Sequence, residues 1–181
     1  QMNVVAAKEA TRNGIPMDKI VTVSFLNDVD INNIGPGAAK GIRRSTIVAS
    51  CTDHALVQEI VRELYDNGRG AGDRKLLSDV YYANGLGVYA PVFEAARLAI
   101  RNDKWPLTAE KMRKGFTSLR NYNANGLIPP LTVTAKDHGG GGKTRIEMWD
   151  GAKWVPQTDW FSDYDDLVWA TVKTSSSEFA K

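Results

Sequence analysis

The sequence predicts an α/β protein, and three observations carry that prediction. Helix-periodic and strand-like segments alternate through the first half, a long helical stretch follows, and the last third switches to period-two hydrophobicity. Behind Asn3, a candidate N-cap, Val4, Ala7 and Ala10 share one helical face, and Gly14 stands where that helix should stop. The run KIVTVSF, residues 19–25, reads as a buried strand through Ile20, Val21, Val23 and Phe25. A polar stretch, 26–34, leads through Gly35, Pro36 and Gly37 into a short helical piece, and STIVA, residues 45–49, is the next strand.

From Asp53 onward Val57, Ile60, Val61, Leu64 and Tyr65 fall at helical spacing, until Gly68, Gly70 and Gly72 break the pattern at a lobe boundary. A longer helix is predicted over 79–100 with Leu86, Tyr89, Val92, Phe93 and Ala96 inward and a bend at Pro91. Thr108 caps a further helix carrying Met112, Phe116 and Leu119 and ending near Asn121. Beyond Pro130, LTVTA (131–135) and TRIEMW (144–149) alternate as strands, and Asp150-Gly151 turns the second into KWVPQTDW. Ser162 and Asp165 open a last helix, while the tail SSSEFAK has too little apolar surface to order alone.

Composition narrows the function. With 43% hydrophobic and 24% charged residues the chain can bury a real core, and its net charge of +2 is spread without the basic stripe that nucleic acid requires. One cysteine, Cys51, excludes an internal disulfide, and no apolar run reaches the length of a membrane-spanning helix. A signal peptide is not readable in the first residues, and a helix that opens at the third residue is expected to follow something upstream.

Several motifs suggest chemistry and do not sustain it. HGGGGKT, 138–144, copies the end of a phosphate-binding loop, but Asp137 occupies the place of its first glycine and a strand follows where a helix is needed. The same glycines resemble an esterase oxyanion motif, yet no G-x-S-x-G nucleophile turn exists. Cys51 and His54 have C-x-x-H spacing, with only His138 left to complete a tetrahedral site. The pairs Asp28/Asp30 and Asp165/Asp166 show no sign of a shifted acidity, and the five tryptophans read as packing before platform. No enzyme, cofactor or metal is expected.

Taken in order, MNVVAAKEATRNGIPMDKIVTVSF, DVDINNIGPGAAKGI, VQEIVRELYDNGRG, VYYANGL, PLTAEKMRKGF, LIPPLTVTAKDH and RIEMWDGAKWVPQTDW closely resemble the second half of type I periplasmic solute-binding proteins of the branched-chain amino acid ABC-transporter family. The resemblance covers nearly the whole chain. It implies a two-lobed α/β protein whose ligand sits between lobes and whose closed form docks on a membrane permease. Residues 1–72 and 144–181 would belong to the second lobe and 73–143 to the first, whose main sheet this chain lacks. That gap would leave helix faces in 79–121 uncovered and favour dimerisation or association with the absent N-terminal lobe.

Ligands of open α/β sheets gather at strand carboxyl ends and helix N-termini, which selects Met2 and Asn3, then Ser24, Phe25, Asn27 and Asp28. The resemblance puts second-lobe contacts in the same two places and adds Tyr82 and Asn84 near the hinge. Phe25 would stack, Asn3 and Ser24 would hydrogen-bond, and Asp28 would face a ligand ammonium group. An amino acid, amide or aromatic carboxylate fits the implied role in periplasmic import; a ligand-sensing domain of a receptor or regulator is the alternative.

Overall fold

The computed structural model describes residues 2–51 and 54–179. The helix start expected at Asp53 lies outside them. Among the described residues four strands form one mixed sheet in the order β1-β2-β3-β4. β1 (Val21–Thr22) runs parallel to β2 (Arg43–Thr46), and β3 (Arg145–Trp149) is antiparallel to both β2 and β4 (Trp154–Pro156).

The opening helix α1 (Met2–Arg12) ends as its glycine demands: Gly14 adopts φ +68°, its N–H donates to Thr11 and that of Ile15 donates to Ala10. Asn3 lies within α1 rather than capping it, a departure from expectation. Ala7 and Ala10 are buried on the predicted face. The strand after Pro16 is much shorter than KIVTVSF suggests, and Val21, Val23 and Phe25 are exposed. The β-branched run fits a pleated surface, but among the described residues β1 is an edge strand with only β2 beside it.

Two further boundaries shift. The polar stretch is itself helix α2 (Asp28–Ile34), capped by Asn27, whose Oδ1 accepts from the Asp30 N–H at 2.8 Å, and turns follow Gly35 instead of a helix. β2 starts before STIVA and stops at Thr46, where the Thr46 hydroxyl donates back to the Val48 carbonyl at 2.9 Å. Residues 131–135 form no strand. Leu131 makes one isolated bridge to Tyr122, and Arg120 occupies the Val133 carbonyl.

Helix α3 (Ala55–Ile60) widens into a π-helical turn at Val61–Tyr65, and α4 (Val80–Asp103) runs unbroken through Pro91, capped by the Asp79 carboxylate on the Tyr81 N–H at 2.7 Å. Of the face of α4 predicted to point inward, Leu86 packs on the core and Val92 and Ala96 are half-buried, but Tyr89 and Phe93 turn outward. Tyr89 and Phe93 are 62% and 71% exposed, whereas Val80, Ala83, Pro91, Ala95, Leu98 and Ala99 are buried. The cause is α5 (Ala109–Phe116), capped by Thr108 as expected, which crosses α4 so closely that a Cβ on Gly115 would run into the Ala95 carbonyl. Small residues permit that approach.

The hairpin forms as its turn chemistry predicts, with Asp150 Oδ1 accepting from the Ala152 and Lys153 N–H groups, each at 2.8 Å. Helix α6 (Asp165–Phe179) absorbs SSSEF from the tail thought unable to order, although none of its residues is buried. One core cluster packs Ala7, Leu26, Ile31, Ala39, Ile42, Trp149 and Trp154 on the sheet, and another gathers Val48, Cys51, Val57, Val80, Ala83 and Leu127. Trp149 and Trp154 meet edge to face at 5.6 Å, so both are packing residues.

Candidate ligand-binding site

Where β1 ends, the chain turns through Ser24 and Phe25 and caps α2 with Asn27, which places Asp28 in the first helical turn. The N-terminus of α4 comes up beside this loop. The rings of Phe25 and Tyr81 lie 6.2 Å apart between centroids and 23° from parallel, an offset stack on an open surface.

Asp28, in the first turn of α2, lies within electrostatic reach of Arg44 and Asp79. Burial raises its carboxyl above the usual range, Asp79 pushes the same way, and Arg44 opposes. The Trp154 indole N–H completes no hydrogen bond among the described residues but is close enough to Asp28 to favour its ionised form. The folded chain thus holds the Asp28 proton more tightly than the unfolded chain does. Its ionisation subtracts stability as pH rises from the unfolded carboxylate range through the folded value, and a cation at this place would offset that loss.

The eight residues singled out by sequence fall into separate groups. Ser24, Phe25, Asn27 and Asp28 form one continuous loop and helix start. The Asn27 side chain is committed to its cap, and the Ser24 hydroxyl makes no hydrogen bond among the described residues. Met2 is exposed in the first turn of α1 and Asn3 half-buried after it, and no ring contact or hydrogen bond among the described residues joins either to Phe25. Tyr82 packs on the core that holds Cys51 and Val80, and burial raises its hydroxyl pKa. Asn84 carries a buried Nδ2 with no partner among the described residues. The tyrosine that meets Phe25 is Tyr81, one position earlier and therefore about 100° around the helix. Sequence reading missed Tyr81, Asp79 and Arg44; only Asp79, as a cap before Val80, carried a local signal.

The motifs set aside earlier have structural roles. Asp137 Oδ1 accepts from the N–H groups of Gly139 (2.9 Å) and Gly140 (3.1 Å), so a carboxylate already fills the glycine turn where a phosphate would have to sit. His54 caps α3 through Nδ1 on the Leu56 N–H, and no cluster of metal-ligating side chains occurs among the described residues. Cys51 is buried, and burial pushes its thiol up to about 12. Alkylation by iodoacetamide at pH 8 should therefore be at least about tenfold slower in the native chain than in urea. The same shift makes stability fall as pH rises above about 8.5, where the unfolded thiol ionises first.

Comparison with solved structures defines the class. A protein of the Pseudomonas fluorescens group described as an ABC transporter permease superposes with a TM-score of 0.86 at 30% identity, covering 98% of this chain and 45% of that one. A branched-chain amino acid ABC transporter protein from Thermus thermophilus with bound valine gives 0.70 at 25% identity, over 89% of this chain and 43% of that one. A substrate-binding protein from Aeropyrum pernix shares the fold at 10% identity and TM-score 0.66. No protein-family model and no curated protein sequence matches. The chain has the type I periplasmic-binding-protein fold. Among its structural relatives are proteins of ABC transporters, one of them a branched-chain amino acid transporter, and it spans less than half the length of each solved chain compared above.

Proposed function

We propose that the chain forms one wall of the ligand site in an extracytoplasmic, periplasmic solute-binding protein that serves an ABC importer and binds its solute without chemical change. The observation that carries this reading is the Phe25–Tyr81 ring pair just after β1, with Asp28 three residues on from Phe25 in the first turn of α2. Two parallel aromatic faces next to carboxylates suit a solute with an ammonium group and an apolar or aromatic body, such as an amino acid or its amide. The valine bound to the Thermus thermophilus relative supports that class.

In this reading residues 1–72 and 144–181 make the second lobe and 73–143 the part of the first that this chain contributes. The exposed face of α4 beyond Tyr81, with Val88, Tyr89 and Phe93, is then the surface covered by the rest of the first lobe or by a second copy. The permease would dock on the closed two-lobed form.

Thermal-shift titration with amino acids and aromatic acids tests the site. A stabilising solute should lose at least about tenfold in affinity with Phe25→Ala, which removes one ring of the stack, and with Asp28→Asn, which removes the charge partner. Asp28→Asn should fold at least as stably as the parent, because it deletes a carboxylate that is costly to ionise. A solute that binds both variants as it binds the parent would place the site elsewhere.

A further inference from the structure

A cavity of about 310 Å³ opens where the glycine run of residues 139–142 passes the chain at 128–131, and none of its lining residues belongs to the solute wall proposed above. Its walls are aliphatic: Ile47 just beyond β2, Pro91 on α4, and Ile128, Pro130 and Leu131. Lys143 is the one charged residue of the lining among the described residues. Ile47 is 55% exposed, so apolar surface there is open to an occupant.

Both ends of the glycine run are fixed. At one end Asp137 accepts from the Gly139 and Gly140 N–H groups, and the Thr132 N–H donates to the Gly140 carbonyl at 3.0 Å. Gly140 lies so close on Leu131 that a Cβ would run into its Cδ1. At the other end Thr144 exchanges backbone hydrogen bonds with Phe161, each 2.8 Å, and its hydroxyl donates to the Thr46 carbonyl at 2.9 Å. Between these anchors the N–H groups of Gly141, Gly142 and Lys143 have no acceptor among the described residues. Gly141 and Gly142 take φ of +146° and +59°, a path that glycine follows without strain. Lys143 is half-buried, and its ammonium has no ion pair or hydrogen bond among the described residues.

We infer that this cavity binds a small aliphatic carboxylate, its anionic end held by Lys143 and the amide groups of 141–143 and its hydrocarbon body laid on Ile47, Ile128 and Leu131. A half-buried ammonium without a partner gains a charge-assisted hydrogen bond when a carboxylate arrives, and a turn already fixed at both ends costs little to order. The wall holds no aromatic ring on which a flat body would stack, so an aliphatic chain fits it best. A dianion such as phosphate is disfavoured, because the Asp137 carboxylate occupies the near end of the same turn and a single cation stands opposite.

The test follows the backbone amide signals of the intact chain by NMR at neutral pH during titration with sodium hexanoate, with hexan-1-ol and with inorganic phosphate at matched ionic strength. Saturable shifts of the Gly141, Gly142 and Lys143 amides are expected with hexanoate, and the alcohol and phosphate should each bind at least about fivefold more weakly. Lys143→Gln should weaken hexanoate at least about fivefold. Ile47→Ser, a change at an exposed position, should weaken it at least about threefold by removing apolar contact. No saturation with hexanoate up to its solubility, an equal response to all three probes, or unchanged affinity in Lys143→Gln would overturn the site. None of these outcomes bears on Phe25, Asp28 or Tyr81, so this inference and the proposed solute site fail separately.

Discussion

Replacing Glu147 by methionine is expected to destabilise the fold by about 3–5 kcal/mol, because it leaves the guanidinium groups of Arg44 and Arg145 without their shared carboxylate. Glu147 is fully buried and Arg44 only 2% exposed, in the middle of the sheet where the two residues face each other across β2 and β3. Arg44 also donates from Nη1 to the Leu26 carbonyl at 2.8 Å and lies 3.9 Å over the Trp154 ring. Burial lowers its pKa and Glu147 opposes that shift, which marks how far the guanidinium relies on the carboxylate. Removing both charges should be milder than removing one. The double variant Arg44→Met/Glu147→Met should therefore recover part of the loss, and a double-mutant cycle in urea should give a coupling of at least about 1 kcal/mol. Additive losses would show that the pair contributes nothing as a pair.

Gly115→Ala is expected to cost about 2 kcal/mol, although alanine is the better helix former. A Cβ at this position meets the Ala95 carbonyl carbon at 2.9 Å and its oxygen closer still, so the α4–α5 crossing must open. Gly85, also in a helix, has nothing within 4 Å of where a Cβ would stand. Gly85→Ala should therefore stabilise by about 0.5–1 kcal/mol, the gain in helix propensity alone. Opposite shifts in the urea midpoint of these two variants would separate close packing from propensity. A stabilised Gly115→Ala would mean that the crossing is looser than the structure has it.

The same crossing explains much of what the sequence did and did not disclose. Features written in local chemistry were legible: the Thr108 cap, the Gly14 stop and the Asp150-Gly151 turn each need only a few neighbouring residues. The buried face of α4 was legible only in part, because hydrophobicity favours Tyr89 and Phe93 while close approach to α5 selects Ala95 against Gly115. In the same way KIVTVSF has the residues of an interior strand and occupies an edge, since strand burial depends on partners that the run itself does not encode. The Arg44–Glu147 pair spans 103 residues of sequence and leaves no local trace.

The candidate site was legible where the strand-end rule applies and illegible where tertiary placement decides. Ser24 to Asp28 follow the end of β1 as that rule requires. Tyr81 was passed over for Tyr82, and adjacent tyrosines on one helix differ only in direction, which the fold alone reveals. Met2 and Asn3 were selected by a helix start that the structure leaves unconnected to Phe25.

Backbone amide NMR of the chain, titrated with valine, phenylalanine and benzoate, measures the proposed solute site most directly. Saturable shifts confined to residues 24–28 and 79–82 are predicted for at least one of the amino acids. Shifts that saturate elsewhere, or none at any of the three solutes up to their solubility, would contradict a ligand wall at Phe25, Asp28 and Tyr81.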